Sequence, residues 1–358
     1  MNRYRELYRV EGLPVLQNRV FENKEEAMNS PQGDVVLVED LKRGLIFNRA
    51  FIPELIKYDT TYHNEQAGSS IFRTHLEQVA EIMEDHFKGK SLFEIGCGKA
   101  YFLEYLGRQG YDIKGIDPAY EGTDPRVVKA CFSHNFNISS EGIILRHVLE
   151  HIPDPFNFLN DIKAAAQGKG LIYIEVPCLD WICEHRAWFD IYYEHVNYFR
   201  LSDFARMLGV IYKSGHLFGG QYLYVIADLS TLREPILNDS GFIGFPADFA
   251  VSIERYADMI KKKGQEGRKV FIWGGASKGI IFSLLLCRHG AHLEGVIDIN
   301  PAKQDKFLPI TGLKVLSPEI LLNYEKQTID IYVMNGNYLG EIKNITGNRF
   351  NYMVVDHE

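Results

Sequence analysis

The chain has 358 residues and a formal net charge of −8, with 46% hydrophobic and 24% charged residues. Its length predicts two or three domains, and its composition is that of a globular protein. The acidic balance disfavours a general nucleic-acid binder, which usually carries a basic surface. No apolar run approaches the roughly 18 residues that a transmembrane helix needs, so we expect no membrane partner.

Two features of the chain predict its cellular location. Residues 1–5 are not followed by an apolar signal core, which argues against export. The five cysteines form no disulfide framework; they are Cys97, Cys131, Cys178, Cys183 and Cys287. We therefore expect a cytoplasmic protein with reduced thiols.

The predicted elements alternate between strand and helix from residue 91 to residue 228. Strands are predicted at 91–95, 112–116, 142–145, 171–176 and 222–227, and helices at 100–108 and 157–166. This alternation is typical of a parallel sheet covered by helices on both faces. The sequence therefore predicts a central α/β domain of the Rossmann-like kind.

A second α/β unit follows this domain. A long amphipathic helix is predicted at 248–263 and strands at 269–273, 293–297 and 329–334. The first of these strands leads into a glycine turn and another helix. We expect a small Rossmann-like domain here, whereas the first 75 residues show no clear pattern and predict a small separate module. The predicted domains are therefore 1–75, 76–235 and 236–358.

A glycine turn after the first predicted strand, residues 93–100, indicates a cofactor site. Glu94 lies in this strand, and Gly96 and Gly98 permit a tight turn and close approach of a ligand to the backbone. Asp117 ends the next predicted strand, where a carboxylate can accept hydrogen bonds from a ribose diol. The third glycine of the dinucleotide-binding pattern is missing. These residues alone fit a dinucleotide enzyme, a methyltransferase or two ordinary turns.

Residues 145–155 decide between these interpretations. With the two preceding motifs, the Leu-Glu-His run at 149–151 resembles class I S-adenosylmethionine-dependent methyltransferases over roughly residues 75–200. The resemblance implies a class I methyltransferase fold with S-adenosylmethionine as cofactor. It implies that Glu94 lies near the methionine amino group, that Gly96 and Gly98 line the cofactor, and that Asp117 binds its ribose. By the same resemblance, His147 and Glu150 border the methyl-transfer site.

Residues 189–199 are rich in polar and aromatic side chains and follow the fifth predicted strand. Ligands of open α/β sheets bind at the carboxyl ends of the strands, so this segment faces the expected cleft. Glu194 and His195 form a titratable pair, and histidine acts readily near neutral pH. Tyr192 and Tyr198 combine a hydrogen-bond donor with an apolar face that suits a sugar ring. A lone histidine in such a place is more often structural.

The grouping Tyr192, Glu194 and His195 resembles the Tyr-His-Glu-His segment of the sugar C-methyltransferases, with Tyr193 in place of the family's first histidine. That family methylates a carbon next to the ketone of a nucleotide-linked keto-deoxysugar. The resemblance implies that these three residues are catalytic. Further similar stretches, which extend the resemblance to almost the whole chain, lie at 13–18, 58–62, 69–70, 274–279, 303–309 and 335–342.

The chain departs from this family at two places near its N-terminus. The family carries paired zinc-binding cysteines there, but this chain has no cysteine before Cys97, so we expect no zinc and no other metal. The family's Tyr-x-Tyr motif reads Tyr62-His63-Asn64 here, which leaves Tyr62 and His63 as candidate substrate contacts. In the C-terminal glycine turn, Ser277 and Lys278 either bind a diphosphate or merely pack a helix on a strand.

The resemblance leads to a mechanistic hypothesis. A carbon next to a ketone must lose a proton before it can attack a methyl group, so a base and donors for an enolate oxygen are needed. We expect His195 to be the base, Glu194 to orient it or favour its cation, and Tyr192 to stabilise the enolate oxygen or pass a proton. Three alternatives remain open, namely an O- or N-methyltransferase of a small metabolite, a nicotinamide-dependent oxidoreductase and a non-catalytic binding protein.

Overall fold

The computed structural model describes residues 3–56, 69–237 and 244–355. Its strands are β1 (Tyr4–Pro14), β2 (Gln32–Asp40), β3 (Ile46–Asn48), β4 (Leu92–Ile95), β5 (Ile113–Ile116), β6 (Val127–Val128), β7 (Gly142–Arg146), β8 (Leu171–Pro177), β9 (Asn197–Tyr198), β10 (Ile211–Leu217), β11 (Tyr222–Asp228), β12 (Lys269–Trp273), β13 (Gly295–Ile297), β14 (Val315–Leu316), β15 (Ile329–Val333) and β16 (Asn351–Val354). Its helices are α1 (Lys24–Met28), α2 (Ser70–Phe87), α3 (Tyr101–Arg108), α4 (Pro155–Ala165), α5 (Leu179–Glu184), α6 (Leu201–Met207), α7 (Phe249–Gln265), α8 (Ser277–Arg288) and α9 (Leu339–Ile345).

The central sheet has seven strands in the order β10-β11-β8-β7-β4-β5-β6. Strands β4, β5, β6, β7 and β8 pair in parallel, and only β11 runs in the opposite direction, between β8 and β10. Strand β7 is almost entirely apolar and buried because helices cover both faces of the sheet. This is the predicted Rossmann-like class I fold, and the five predicted strands are confirmed to within about one residue at each end.

Helix α2 shows how the sequence builds this domain. The side chain of Ser69 accepts a hydrogen bond from the backbone N–H of Ile71 at 3.2 Å and so caps the start of the helix. Its buried apolar residues recur at helical spacing and pack in one cluster with Leu92 and Leu103; they are Leu76, Val79, Met83 and Phe87. The helix thus begins before residue 75, within the predicted N-terminal module, and the predicted domain division itself stays a prediction.

The N-terminal segment forms an antiparallel sheet in the order β1-β2-β3-β9. Its last strand, β9, comes from the segment between β8 and α6, so the central domain completes this sheet. The buried Arg200 reinforces the junction, since it lies 3.9 Å from the buried Glu39 of β2 and donates a hydrogen bond to the carbonyl of Gly44 at 2.8 Å. The pairing of β3 with β9 thus joins the predicted N-terminal module to the segment that carries the candidate site.

The C-terminal sheet consists of five parallel strands in the order β14-β13-β12-β15-β16, as expected of a Rossmann-like domain. Helix α8 is buried on nearly all sides because it packs both on this sheet and on the central domain. The ring of Phe282 stacks on Trp188 with centroids 5.3 Å apart and meets the edge of Phe189 at 5.8 Å. This contact brings the C-terminal domain against the segment that carries the candidate catalytic residues.

Within the described ranges, no helix is both long and apolar enough to cross a bilayer.

Candidate active site

The loop between β4 and α3 has the backbone shape of a ligand-binding turn. Gly96 has φ +76°, Gly98 has φ +53° and Ala100 has φ +64°, all in the left-handed region. A Cβ atom on Gly96 would lie 2.3 Å from Cγ2 of Val148, so only glycine fits there. At Gly98 the corresponding position is open, with nothing within 4 Å. The loop therefore leaves room beside its backbone at the N-terminus of α3.

Asp117 follows β5 and holds the neighbouring loop in place. Its Oδ2 accepts a hydrogen bond from the N–H of Gly98 at 2.8 Å, and its Oδ1 accepts one from Ala119 at 2.7 Å. A carboxylate oxygen has two lone pairs, so each oxygen keeps one acceptor position for a ligand hydroxyl. The two predicted cofactor residues, Gly98 and Asp117, are thus brought together.

Glu94 is buried in β4, directly before the glycine turn. Its side chain is 3% exposed, and burial raises its pKa to about 7. Oxygen Oε2 has no hydrogen-bond partner among the described residues. A buried carboxyl group in this state is stabilised by a cationic partner, which compensates the charge that burial disfavours. The site therefore fits an ammonium group such as that of the methionine part of the cofactor.

His147 lies between two buried carboxylates. Its Nδ1 is 3.3 Å from Glu150 and its Nε2 is 3.0 Å from Glu175, and its φ of +53° lies in the left-handed region, which few non-glycine residues adopt. Burial alone would lower the pKa of His147, but the two carboxylates raise it to about 9. His147 is therefore a cation at neutral pH, at the carboxyl end of β7 where the cofactor is expected.

Glu175 is the centre of a cluster that the sequence analysis did not assign to the site. Its carboxylate lies 2.9 Å from His75 and 3.1 Å from Arg146, and it accepts a hydrogen bond from the hydroxyl of Tyr173 at 2.7 Å. Burial raises the pKa of Glu175, but Arg146 and the two histidines outweigh it and hold that pKa well below its ordinary value. The only signal in the sequence was the position of Glu175 near the end of a predicted strand.

His195 is buried beside other rings of the candidate site. Its ring centroid lies 5.0 Å from that of His151 and 4.6 Å from that of Tyr192, and its Nδ1 has no hydrogen-bond partner in the part of the chain that the structure describes. Burial, with the nearby histidines and Lys278, holds the pKa of His195 well below its ordinary value. The imidazole is therefore uncharged at neutral pH and keeps a lone pair that can accept a proton.

A carboxylate and a second histidine lie close to His195. Ligand atoms of Glu150, His151 and His195 lie within 4.8 Å of one another, which brings a predicted cofactor-side residue to the predicted base. The backbone carbonyl of Glu194 accepts a hydrogen bond from Nδ1 of His151 at 3.0 Å, so Glu194 fixes the ring that packs on His195. His151 is a further residue of the site, which the sequence did not predict.

The tyrosines of the segment have different surroundings. The hydroxyl of Tyr192 donates a hydrogen bond to Oδ1 of Asp190. The hydroxyl of Tyr198 accepts from the N–H of Tyr192 at 3.0 Å and lies 3.1 Å from its carbonyl, so Tyr198 fixes the backbone of Tyr192. The hydroxyl of Tyr193 accepts from the N–H of Ile52 at 2.8 Å, which ties the segment to the N-terminal part of the chain.

The C-terminal glycine turn lies next to this segment. Its Gly275 donates a hydrogen bond to Oδ2 of Asp298 at 2.8 Å, an arrangement that parallels the cofactor loop. Ser277 donates its N–H to the carbonyl of Gln17 at 3.0 Å. The ammonium group of Lys278 lies 3.0 Å from Oδ2 of Asp190, a contact that the sequence did not predict.

Two candidate substrate contacts from the sequence, Tyr62 and His63, lie outside the described residues.

Comparison with known families identifies two regions of the chain. Residues 65–209 match the methyltransferase domain family, and residues 234–345 match the C-methyltransferase C-terminal domain family. The C-methyltransferase NovU of Streptomyces niveus is 24% identical over 308 residues, which cover 75% of this chain and 72% of the relative. The ubiquinone biosynthesis O-methyltransferase of Paraburkholderia phymatum is 27% identical over 103 residues, covering 25% of this chain and 44% of the relative.

Solved structures of methyltransferases also align with part of the chain. A SAM-dependent methyltransferase from Archaeoglobus fulgidus aligns with 45% of this chain and 95% of its own, at 19% identity and a TM-score of 0.34. A 1,6-didemethyltoxoflavin-N1-methyltransferase from Burkholderia thailandensis aligns with 51% of this chain and 95% of its own, at 13% identity and a TM-score of 0.34.

The sequence left the class of enzyme open, and the matched domains decide it. The methyltransferase domain match covers the glycine turn, Asp117 and the Leu-Glu-His run, and the second match covers most of the C-terminal sheet. The nicotinamide-dependent oxidoreductase is set aside on these grounds. The chain is a class I S-adenosylmethionine-dependent methyltransferase that carries a C-methyltransferase C-terminal domain.

Proposed function

We propose that this enzyme methylates a carbon next to the ketone of a nucleotide-linked keto-deoxysugar, through an enolate. The C-methyltransferase C-terminal domain and the relative named as a C-methyltransferase support transfer to carbon. The observation that carries the proposal is His195, a buried and uncharged imidazole whose Nδ1 has no partner among the described residues. It lies at the carboxyl ends of the central strands, where ligands of such sheets bind.

His195 is proposed as the base that removes the proton next to the ketone. An uncharged imidazole can accept this proton, and the cation that forms is stabilised by the carboxylate of Glu150, within 4.8 Å of the histidine nitrogen. His151 packs on the same ring and is held by the carbonyl of Glu194. Glu194 is therefore proposed to orient the base through His151.

Tyr192 is proposed as the third catalytic group. Its ring meets that of His195 at a centroid distance of 4.6 Å, close enough to contact the same substrate atoms. Tyr198 fixes the backbone of Tyr192 through its hydroxyl. Tyr198 is therefore proposed to shape the substrate site mainly through its buried ring and this hydrogen bond.

The cofactor residues divide the binding of S-adenosylmethionine among them. We propose that Glu94 binds the ammonium group, that the backbone of Gly96 and Gly98 lines the ligand, and that Asp117 binds the ribose. The cofactor, when bound, supplies an electrophilic methyl group. His147 and Glu150 are proposed to border that methyl group, and their ion pair at 3.3 Å keeps them in a fixed geometry.

The C-terminal turn is proposed to bind the nucleotide part of the substrate, with the hydroxyl of Ser277 as a donor to the diphosphate, since the N–H groups of Gly275 and Ser277 are bound within the protein. Tyr62 and His63 are proposed as further substrate contacts. A nucleotide-linked sugar is a small intracellular metabolite, so we propose the cytoplasm as the place of the reaction.

Labelled methyl transfer in deuterated water tests this function. The enzyme is incubated with methyl-labelled S-adenosylmethionine and a panel of nucleotide-linked 4-keto-6-deoxysugars, and mass spectrometry follows methyl gain and deuterium exchange next to the ketone. We expect both signals in the wild type and neither in His195→Gln, while His134→Gln, at an exposed position, keeps both. A His195→Gln enzyme that binds the cofactor and exchanges the proton at the wild-type rate contradicts the assignment of the base.

Methylation of oxygen or nitrogen is the second candidate, because the cofactor domain also matches an O-methyltransferase over a quarter of the chain. A heteroatom acceptor needs no carbon acid. Methyl gain without deuterium exchange next to a ketone would therefore favour this candidate over the enolate route.

A further inference from the structure

Lys278 reaches out of the C-terminal domain into the central domain. Its ammonium group lies 3.0 Å from Oδ2 of Asp190 and donates a hydrogen bond to Oε1 of Gln221 at 2.7 Å. It also lies 4.8 Å from the ring centroid of Trp181, within the range of a cation–π contact. The side chain is only 15% exposed. The cation is therefore bound by groups of the protein itself, all of which belong to the central domain.

Gln221 strengthens this contact because its amide group is fixed by a second residue of the C-terminal domain. Its Nε2 donates to Oδ1 of Asn335 at 3.0 Å, and its Oε1 accepts from Nδ2 of Asn335 at 3.0 Å. The acceptor that Lys278 uses is thus held in one orientation. Lys278 and Asn335 together dock the carboxyl edge of the C-terminal sheet on the start of β11.

Asp190 links this contact to the candidate active site. The residue is 5% exposed, and its two carboxylate oxygens have different partners. Oδ2 faces Lys278, and Oδ1 accepts the hydrogen bond from the hydroxyl of Tyr192. Lys278, Asp190 and Tyr192 therefore form a continuous chain from the C-terminal domain to a proposed catalytic group.

This chain determines what Tyr192 can do. A phenol has a single O–H proton, and here that proton is directed at Asp190. Burial and the neighbouring carboxylate hold the pKa of Tyr192 well above its ordinary value, so the phenol stays protonated. The oxygen then presents lone pairs to any other group, and it acts as an acceptor of a hydrogen bond.

We propose that Asp190 and Lys278 are positioning residues that hold the proton of Tyr192 away from the substrate, so that Tyr192 acts as a hydrogen-bond acceptor beside His195. The suitable donor is a sugar hydroxyl group or the protonated His195. The inference rests on the proposed catalytic role of Tyr192. An acceptor cannot stabilise an enolate oxygen, so the expectation that Tyr192 does so is replaced. Lys278 also gains a role within the protein in place of a diphosphate contact.

The first test needs no substrate. Tyrosine labelled with carbon-13 at Cζ gives one NMR signal per residue, and Tyr192→Phe identifies the signal of Tyr192 by its loss. We expect Asp190→Asn and Lys278→Met each to shift this signal in the unliganded enzyme. Lys261→Met removes a surface lysine that pairs with Asp258 at 3.0 Å, and it should leave the signal unchanged. An unshifted Tyr192 signal in both positioning variants overturns the proposal.

The second test is a double-mutant cycle on kcat. Each positioning variant is expected to lower kcat by about tenfold, within the range that coupled residues show, and by less than about twofold when Tyr192 is already phenylalanine. Equal losses of kcat in the wild-type and Tyr192→Phe backgrounds overturn the proposal. A Lys278→Met enzyme with normal kcat and a raised KM also overturns it, because that result indicates a diphosphate contact. Cofactor affinity, measured by calorimetry, verifies that each variant is folded. If the wild type methylates no sugar, the proposed function fails while the NMR result still decides the positioning roles.

Discussion

Replacing Glu94 by glutamine should stabilise the cofactor-free enzyme and weaken its hold on the cofactor. Burial raises the pKa of Glu94 from 4.5 to about 7, and the side chain is only 3% exposed. A tenfold change in proton affinity is worth about 1.4 kcal/mol, so the ionised carboxylate costs the fold on the order of 3 kcal/mol. Glutamine has nearly the same shape and carries no charge, which removes this cost.

The sign of the pH dependence follows from the raised pKa. Between about pH 4.5 and about pH 7 the folded protein holds a proton on Glu94 that the unfolded chain has lost, so stability falls as the pH rises. The advantage of Glu94→Gln should therefore be near zero at about pH 4.5 and should reach roughly 3 kcal/mol at about pH 8.

Urea unfolding of the cofactor-free protein at several pH values measures this difference. Glu104→Gln, on the exposed side of α3 with a side chain that is 48% exposed, is the control and should change stability by less than about 0.5 kcal/mol. Calorimetry should show that Glu94→Gln binds S-adenosylmethionine at least about tenfold more weakly, since a charge-assisted hydrogen bond is lost. A variant that is no more stable than the wild type at about pH 8 refutes the reasoning.

Two further experiments, one on the glycine turn and one on Glu175, test the surroundings of the cofactor. Gly96→Ala places a Cβ 2.3 Å from Val148 in a left-handed backbone and should abolish cofactor binding. Gly98→Ala has open space around its Cβ, so it should lower stability by only about 1 kcal/mol through backbone strain. Equal effects of the two substitutions in binding and melting experiments would contradict the steric argument. Glu175→Gln leaves Arg146 without its buried carboxylate and should destabilise the protein by about 3–5 kcal/mol at neutral pH. Because the pKa of Glu175 in the folded protein lies well below its ordinary value, this loss of stability should shrink as the pH falls below about 4.5. A loss of stability that is independent of pH in urea unfolding would refute the ionic cause.

The parts of the fold that sequence reasoning could predict are those with local signals. The strand at 269–273 was predicted at its observed bounds because an apolar run ends in a glycine turn. The N-terminal sheet was not predicted, since β1 is only half-buried along most of its length and shows no clean alternation. Strand β9 has two residues and pairs with β3, far away in the sequence, so no periodicity marks it.

In the candidate site too, the sequence predicted the residues that carry a local signal and missed those whose partners lie far away in the chain. Glycine turns, strand ends and the Tyr-x-Glu-His grouping are local, and they pointed to the loops that meet in the structure. Asp190 and Glu175 were not assigned because their partners come from distant elements, such as Lys278 and His75. Sequence spacing says which face of an element a residue occupies, but it does not say which charged groups from other elements meet it there.

The position of the transferred methyl group tests the central claim most directly. The enzyme is given S-adenosylmethionine with a carbon-13 methyl group and the keto-deoxysugar that gains mass, and the product is analysed by NMR correlation between the methyl protons and the sugar carbons. We expect a methyl group bonded to the ring carbon next to the ketone in the wild type, and no product from His195→Gln. A methyl group on oxygen or nitrogen, formed equally well by His195→Gln, would contradict it.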